Sequence, residues 1–119
     1  MSYRLKRGKS TTWRTHLIRN QLSSLIIHEK LIIEVERAKW LKSEFDKIMT
    51  IAKKQDLSSR RRIETKLFPM KTKDNKTAAY KLYHDLANRY PNRNSGYTRI
   101  VRITKRKGDN AELALISLV

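Results

Sequence analysis

The sequence predicts an α+β domain, with four helices packed on one face of a small three-stranded mixed sheet and an extended basic N-terminal arm. Three observations carry this. Apolar residues recur at steps of three, four and seven over residues 37–54 and again near residues 79–90, which is the spacing of amphipathic helices. Residues 97–119 read as two strand-forming runs around a glycine-bearing turn. Residues 1–20 hold Arg4, Lys6, Arg7, Lys9, Arg14 and Arg19 without one acidic residue, and Tyr3 and Leu5 are the only large apolar side chains there before Trp13. The expected organisation is a basic arm over residues 1–11 and one α+β domain over residues 12–119.

Taken in order, the arm is expected to be disordered in the free protein, because it has too little apolar surface to offset the entropy of ordering. A first helix is predicted from Thr11 or Thr12, capped by a hydroxyl of Ser10, Thr11 or Thr12, with Trp13, Leu17, Ile18, Leu22 and Leu25 on its buried side. Leu31, Ile33 and Val35 alternate with Ile32, Glu34 and Glu36, predicting a short strand that joins the C-terminal hairpin. Arg37 to Lys54 follows as the clearest amphipathic helix, its stripe being Ala38, Leu41, Phe45, Ile48, Met49 and Ala52. A short basic helix over Arg60 to Leu67 is capped from Asp56, Ser58 or Ser59 and stopped by Pro69. Met70 to Asn75 reads as a polar connector. Asp74 or Asn75 then caps a helix whose buried stripe is Ala79, Leu82, Tyr83, Leu86, Ala87 and Tyr90, and Pro91 ends it.

Beyond Pro91, the residues Asn92 to Gly96 tolerate turn and left-handed backbone angles. In the strand that follows, Tyr97, Val101 and Ile103 share one face, while Thr98, Arg102 and Thr104 point the other way around Ile100. The pattern breaks at Arg99. Leu113 to Val119 is apolar on both faces except Ser117, as a well-covered strand is. Between the two runs, Arg106, Lys107 and Gly108 make a basic hairpin tip.

The chain has 119 residues and a formal net charge of +17, from 28 Lys and Arg against 11 Asp and Glu. Surface scaling lets a domain of this size bury roughly two thirds of its unfolded surface, so a true core is possible. The charge far exceeds the magnitude of about 2–8 that solubility requires in a small domain. Such self-repulsion implies a polyanionic partner, nucleic acid before anionic lipid. There is no run of the roughly 18 apolar residues that span a bilayer, and no basic-then-apolar start like a secretory signal. With no cysteine in the chain, disulfides and thiolate metal sites are excluded.

Enzyme chemistry has no site in the sequence. Gly8, Lys9, Ser10 and Thr11 imitate the end of a phosphate-binding loop, but that motif's first glycine would fall on Tyr3. His16, His28 and His84 are dispersed and lack clustered carboxylates at metal-ligand spacing. Neither a cofactor nor a small-molecule substrate is expected. The basic arm has three readings, namely phosphate contact, a transit peptide and plain solvated charge, and phosphate contact leads because Trp13 and its helix belong to the fold. Arg60, Arg61 and Arg62 step round a helix at about 100° each, so at most two act together, Arg60 and Arg61 being the expected pair. Arg93, Arg99, Arg102, Lys105, Arg106 and Lys107 have only Asp85 as an acid between residues 81 and 107, so local neutralisation is not expected there. Trp13, Tyr83 and Tyr90 have core spacing, whereas Tyr97 and Tyr3 are the stacking candidates. A DNA-compacting or transcription-associated protein is the alternative reading, with only residues 56–68 resembling a recognition helix after a short turn. A peripheral membrane protein would need a strongly basic amphipathic helix, and the best helix here is charge-balanced.

Several segments resemble a known family. They are KRGKSTTWR with Arg19 and Asn20; His28 and Glu29; Arg37, Ala38 and Lys39; Ala52, Lys53 and Lys54; NRNSGYTRI at residues 92–100; Gly108, Asp109, Asn110 and Ala111; and the tail LALISLV. Together they resemble the bacterial large-subunit ribosomal protein seventeen family nearly end to end. The resemblance implies an α+β structural constituent of the large ribosomal subunit in the cytoplasm. It implies binding to large-subunit ribosomal RNA near the polypeptide exit tunnel, beside other ribosomal proteins, with no catalysis. Carried over residue by residue, it implies RNA contact by Lys6, Arg7, Lys9, Trp13, Arg14, Arg19 and Asn20. On the hairpin side it implies contact by Arg93, Asn94, Tyr97, Arg99, Arg106 and Lys107. Glu34 and Val35 stand where hydroxyl residues are common in the family, and Trp40 where an acid is common. The start Met1, Ser2 and Tyr3 and the lack of an acidic tail fit a compact bacterial version rather than an organellar one.

Overall fold

Ser10 opens the first helix, its hydroxyl accepting from the backbone N–H of Trp13 at 3.2 Å and so satisfying one of the free amides at the helix start. The computed structural model describes residues 10–119, and helix α1 runs over Thr11–His28. Lys6, Arg7 and Lys9, expected to touch RNA, lie with the rest of residues 1–9 outside the described residues. Leu22, Leu25 and Ile26 are buried, while Trp13, Leu17 and Ile18 are half-buried, so the apolar stripe deepens toward the C-terminal half of the helix. Glu29 stops α1 by turning left-handed at φ 63° and donating its N–H to the Leu25 carbonyl.

Strand β1 covers Lys30–Glu34 and helix α2 covers Val35–Ala52. Val35 and Glu36, expected to extend the strand, belong to the helix. Their β-branched and alternating pattern is overridden because Val35 is buried and continues the helical stripe of Ala38, Leu41, Phe45, Ile48, Met49 and Ala52. Trp40 and Ile51 are buried on the same helix.

Helix α3 covers Leu57–Lys66, capped by Asp56, whose carboxylate accepts from Ser59 N–H at 2.7 Å. Helix α4 spans residues 78–89, with α-helical ends at Ala78–Lys81 and Ala87–Arg89 and a π-helical middle at Leu82–Leu86. Its cap is Thr77, accepting from Tyr80 N–H at 3.2 Å, and not Asp74 or Asn75. Asn75 instead takes φ 62° in a turn closed on Thr72 and by a bridge between Lys71 and Thr77, so the helix starts later than the sequence suggests.

Strands β2, Thr98–Arg102, and β3, Leu113–Leu118, complete a sheet of order β1-β3-β2. Both pairings are antiparallel, which corrects the expected mixed sheet. β1 and β2 run the same way but never meet, because β3 lies between them. Leu31, Ile116 and Ile100 align across the strands on the helix-facing side, with Ala114 and Leu118 beside them. α2 lies on all three strands and α1 on β1, while α3 and α4 pack against α1 and α2, so the helices do cover one face. On the other face Ile32, Leu115 and Val101 form a row, with Ile32 58% and Val101 48% exposed. Among the described residues four non-glycine residues hold positive φ, namely Glu29, Gln55, Asn75 and Asn110, each in a connection between elements.

Candidate nucleic-acid interface

The loop after Pro91 is anchored from beneath. Tyr97 and Tyr90 meet edge to face with centroids 5.6 Å apart; the Tyr97 hydroxyl donates to the Arg93 carbonyl at 2.8 Å and that of Tyr90 to the Val119 carbonyl at 2.7 Å. From α2, the Asp46 carboxylate accepts from the N–H groups of Gly96 and Tyr97 at 3.4 Å each, and the Lys53 ammonium donates to the Arg93 carbonyl. Gly96 takes φ 68°, and an added Cβ there would meet nothing nearer than Arg93 Nη1 at 3.9 Å. Backbone angle, not space, therefore favours glycine at this position. Arg93 and Asn94 are exposed on this anchored loop. Tyr97 is a correction: its ring is 1% exposed, so it has no open face for a base and serves as the loop's anchor. Tyr83 and Tyr90 are buried as their spacing predicts.

The hairpin tip closes through Arg106 N–H to the Ala111 carbonyl at 2.9 Å and Asn110 N–H to the Arg106 carbonyl at 3.0 Å. Arg106 is neutralised, against expectation, by Asp109, just beyond the window read in the sequence, and by Glu34 on β1, far before it. Its guanidinium forks onto Asp109 at 3.1 and 2.7 Å and reaches Glu34 at 3.5 Å, and Arg102 pairs with Glu112 at 3.4 Å. The turn folds Asp109 and Glu112 back and the sheet brings in Glu34, neither of which a linear count registers. Arg99 and Lys107 remain exposed cations, with no acidic partner among the described residues.

The hydrogen bond from Arg106, and then that from Ala111 N–H, hold the Asp109 carboxyl down to about 2. A depressed carboxylate contributes stability above its unfolded pKa of about 3.9 and loses it as pH falls through the folded value. The tip is thus expected to stay closed above about pH 4 and to loosen between about pH 4 and pH 2. Amide hydrogen exchange at Ala111 checks this, since Asp109→Asn should remove the pH dependence there.

On the arm side, Trp13 is half-buried with the Arg37 guanidinium 6.0 Å from its ring centroid. Arg14 is half-buried and donates to the Thr11 hydroxyl at 3.3 Å, while Asn20 is exposed. Arg19 turns inward, stacking 4.5 Å over Phe68 and donating to the Leu67 carbonyl at 3.5 Å, so it ties α1 to the end of α3. Arg60 and Arg61 are exposed on α3, with Arg60 lying 4.3 Å over Tyr83. The candidates therefore fall on separate regions: the α1 start, the outer face of α3, the loop at Arg93 and the hairpin. Sequence reading missed a cleft of about 640 Å³ beside α4, lined by Lys71, Lys73, Lys76, Lys81 and Tyr80. The signal was there in three lysines within six residues ahead of an aromatic residue, but that stretch was read as a connector.

Cations are thus carried on anchored loops and helix faces around an apolar core, and among the described residues no group of three or more His, Asp or Glu is placed to hold a metal. The architecture is that of a small basic α+β protein. The profile of the family described as Ribosomal protein L17 matches residues 17–119, and the chain belongs to that family. It is 46% identical over the full length of both chains to the large ribosomal subunit protein bL17 of Mycoplasma capricolum subsp. capricolum. The proteins of the same name from Mesoplasma florum and Malacoplasma penetrans are 43% and 40% identical, also over the full length of both chains. As a member of this family the chain is a bacterial structural component of the ribosome and not an enzyme, located in the cytoplasm as part of that particle.

Proposed function

We propose that this chain binds large-subunit ribosomal RNA near the polypeptide exit tunnel, next to other proteins of that subunit. In this reading residues 1–11 act as a basic arm and residues 12–119 as a single RNA-binding domain. The observation that carries it is the loop of residues 92–97, whose backbone is held from α2 by Asp46 and Lys53 while it exposes Asn94 and Arg93, the Arg93 guanidinium donating to the Gly96 carbonyl at 3.2 Å. A loop backbone fixed in advance gives up less conformational entropy when its cation meets a phosphate. Arg14, Asn20, Arg60, Arg61, Arg99 and Lys107 supply further contacts, while Trp13, Arg19, Tyr97 and Arg106 hold the surface in shape. Binding is by charge neutralisation and fit to shape, because RNA helices offer side chains little readable base edge.

Sucrose-gradient fractionation of cell extract tests this at moderate and then high salt. Comigration with the large subunit, lost only at salt high enough to strip several phosphate contacts, is the expected result. A free pool, or a position with DNA, would overturn it. Crosslinking within the intact subunit tests the exit-tunnel position, where crosslinks confined to RNA remote from the tunnel would refute that part alone.

A further inference from the structure

Along α4 runs a chain of cation–ring and ring–ring contacts. The Arg60 guanidinium lies 4.3 Å over the Tyr83 ring, Tyr83 meets His84 edge-on at 5.1 Å, His84 lies 4.3 Å from Tyr80, and the Lys76 ammonium sits 4.9 Å from the Tyr80 centroid. Tyr83 is buried under this row, but Tyr80 is 44% exposed and His84 is exposed. Such large exposed rings on a soluble helix give up the apolar burial that would ordinarily hold them.

Tyr80 and His84 also form a ridge between two recesses and line both of them. On one side is the cleft of about 640 Å³, where Lys71, Lys73 and Lys76 are exposed. On the other is a recess of about 200 Å³ that includes Arg60 and Thr77. The larger volume lies within the roughly 300–1,000 Å³ of small-ligand sites. Two acids, Asp74 and Asp85, line the cleft with four lysines, and Asp85 is engaged by Arg89 at 3.2 Å, which leaves Asp74 to oppose the cations. Lys81 is itself engaged, donating to the Ile27 carbonyl at 3.0 Å and lying 3.7 Å from Glu29. His84 sits in the π-helical turn Leu82–Leu86, a local departure often found at functional sites, and Tyr80 in the α-helical turn just before it.

Aromatic faces flanked by lysines suit one kind of ligand, in which a base stacks and its phosphates are neutralised. We propose that the Tyr80–His84 ridge is a stacking platform for unpaired nucleotides of an RNA strand, with Lys71, Lys73 and Lys76 holding the phosphates. This rests on the RNA-binding reading above and adds a second surface to it, distinct from the loop at Arg93. A strand is favoured over a free nucleotide because the recesses open on both sides of the ridge, so a chain can cross it.

The test measures binding of the full chain to a ten-nucleotide oligoadenylate, to a fully paired RNA duplex of equal length and to AMP. Tyr80→Ala combined with His84→Ala should weaken oligoadenylate binding by roughly tenfold or more, with an unchanged salt slope and little change on the duplex. Tyr80→Phe should retain binding. Replacing Lys71, Lys73 and Lys76 with alanine should flatten the slope of log K against log salt by roughly 2. Circular dichroism confirms that each variant is folded. Wild-type binding to both RNAs with an unaffected double alanine variant would overturn the platform while leaving the RNA-binding reading intact. AMP bound as tightly as the strand would overturn the strand assignment. Failure of the wild type to bind either RNA would overturn both readings.

Discussion

Phe45→Ala is expected to lower the free energy of unfolding by about 3–5 kcal/mol, the range for removing a large aromatic side chain from a packed core. Phe45 is 0% exposed at the middle of α2, the helix that lies on all three strands. Its loss leaves a cavity where the two layers meet, and neither layer can collapse into it without moving the other. A domain of this size has roughly 5–15 kcal/mol in total, so about a fifth or more of the stability is at stake. Urea unfolding should show a lower midpoint with an unchanged slope. Leu57→Ala, at a position 62% exposed, should stay within about 0.5 kcal/mol of the wild type. Equal effects at the two positions would refute the layer arrangement.

Deleting residues 1–9 removes Arg4, Lys6, Arg7 and Lys9 together. If all four neutralise phosphates, the slope of log K against log salt for large-subunit RNA should fall in magnitude by roughly 3, at about 0.7–0.9 per contact. The loss of affinity should be greatest at low salt. Among the described residues the buried core lies within residues 22–116, and an unfolding midpoint measured in parallel separates lost phosphate contact from lost stability. An unchanged salt slope would show that the basic start of the chain does not touch phosphate, whatever the rest of the surface does.

The elements with a single strong pattern were the ones legible in the sequence. The α2 stripe from Ala38 to Ala52 is buried as its spacing requires, and β3 is the central strand that its apolar faces imply. What failed was decided by contacts distant in sequence. Val35 looks like a strand residue until its burial beside the helical stripe is known. Tyr97 looks like an exposed aromatic beside a glycine, yet its ring reaches back to Tyr90 and the Arg93 carbonyl. Arg106 looked unopposed because Asp109 and Glu34 meet it only once the hairpin and the sheet have formed. For the site, the exposure of Arg60, Arg93, Arg99 and Lys107 was readable from charge, but the inward turn of Arg19 onto Phe68 was not. The lysines ahead of Tyr80 went unnoticed because a connector has no periodicity to flag which side chains converge.

The four left-handed residues Glu29, Gln55, Asn75 and Asn110 set the corners of the chain with side chains in place of glycine. A glycine would relieve local strain there but would also widen the range of angles each corner can sample. Corners made this way are stiff, so the angles between α1, the sheet, α3 and the hairpin are set before any partner arrives. The described part of the molecule therefore works as a jig. It contributes little ordering entropy of its own on binding, and an RNA that meets its cations must bring, or be bent into, the matching spacing.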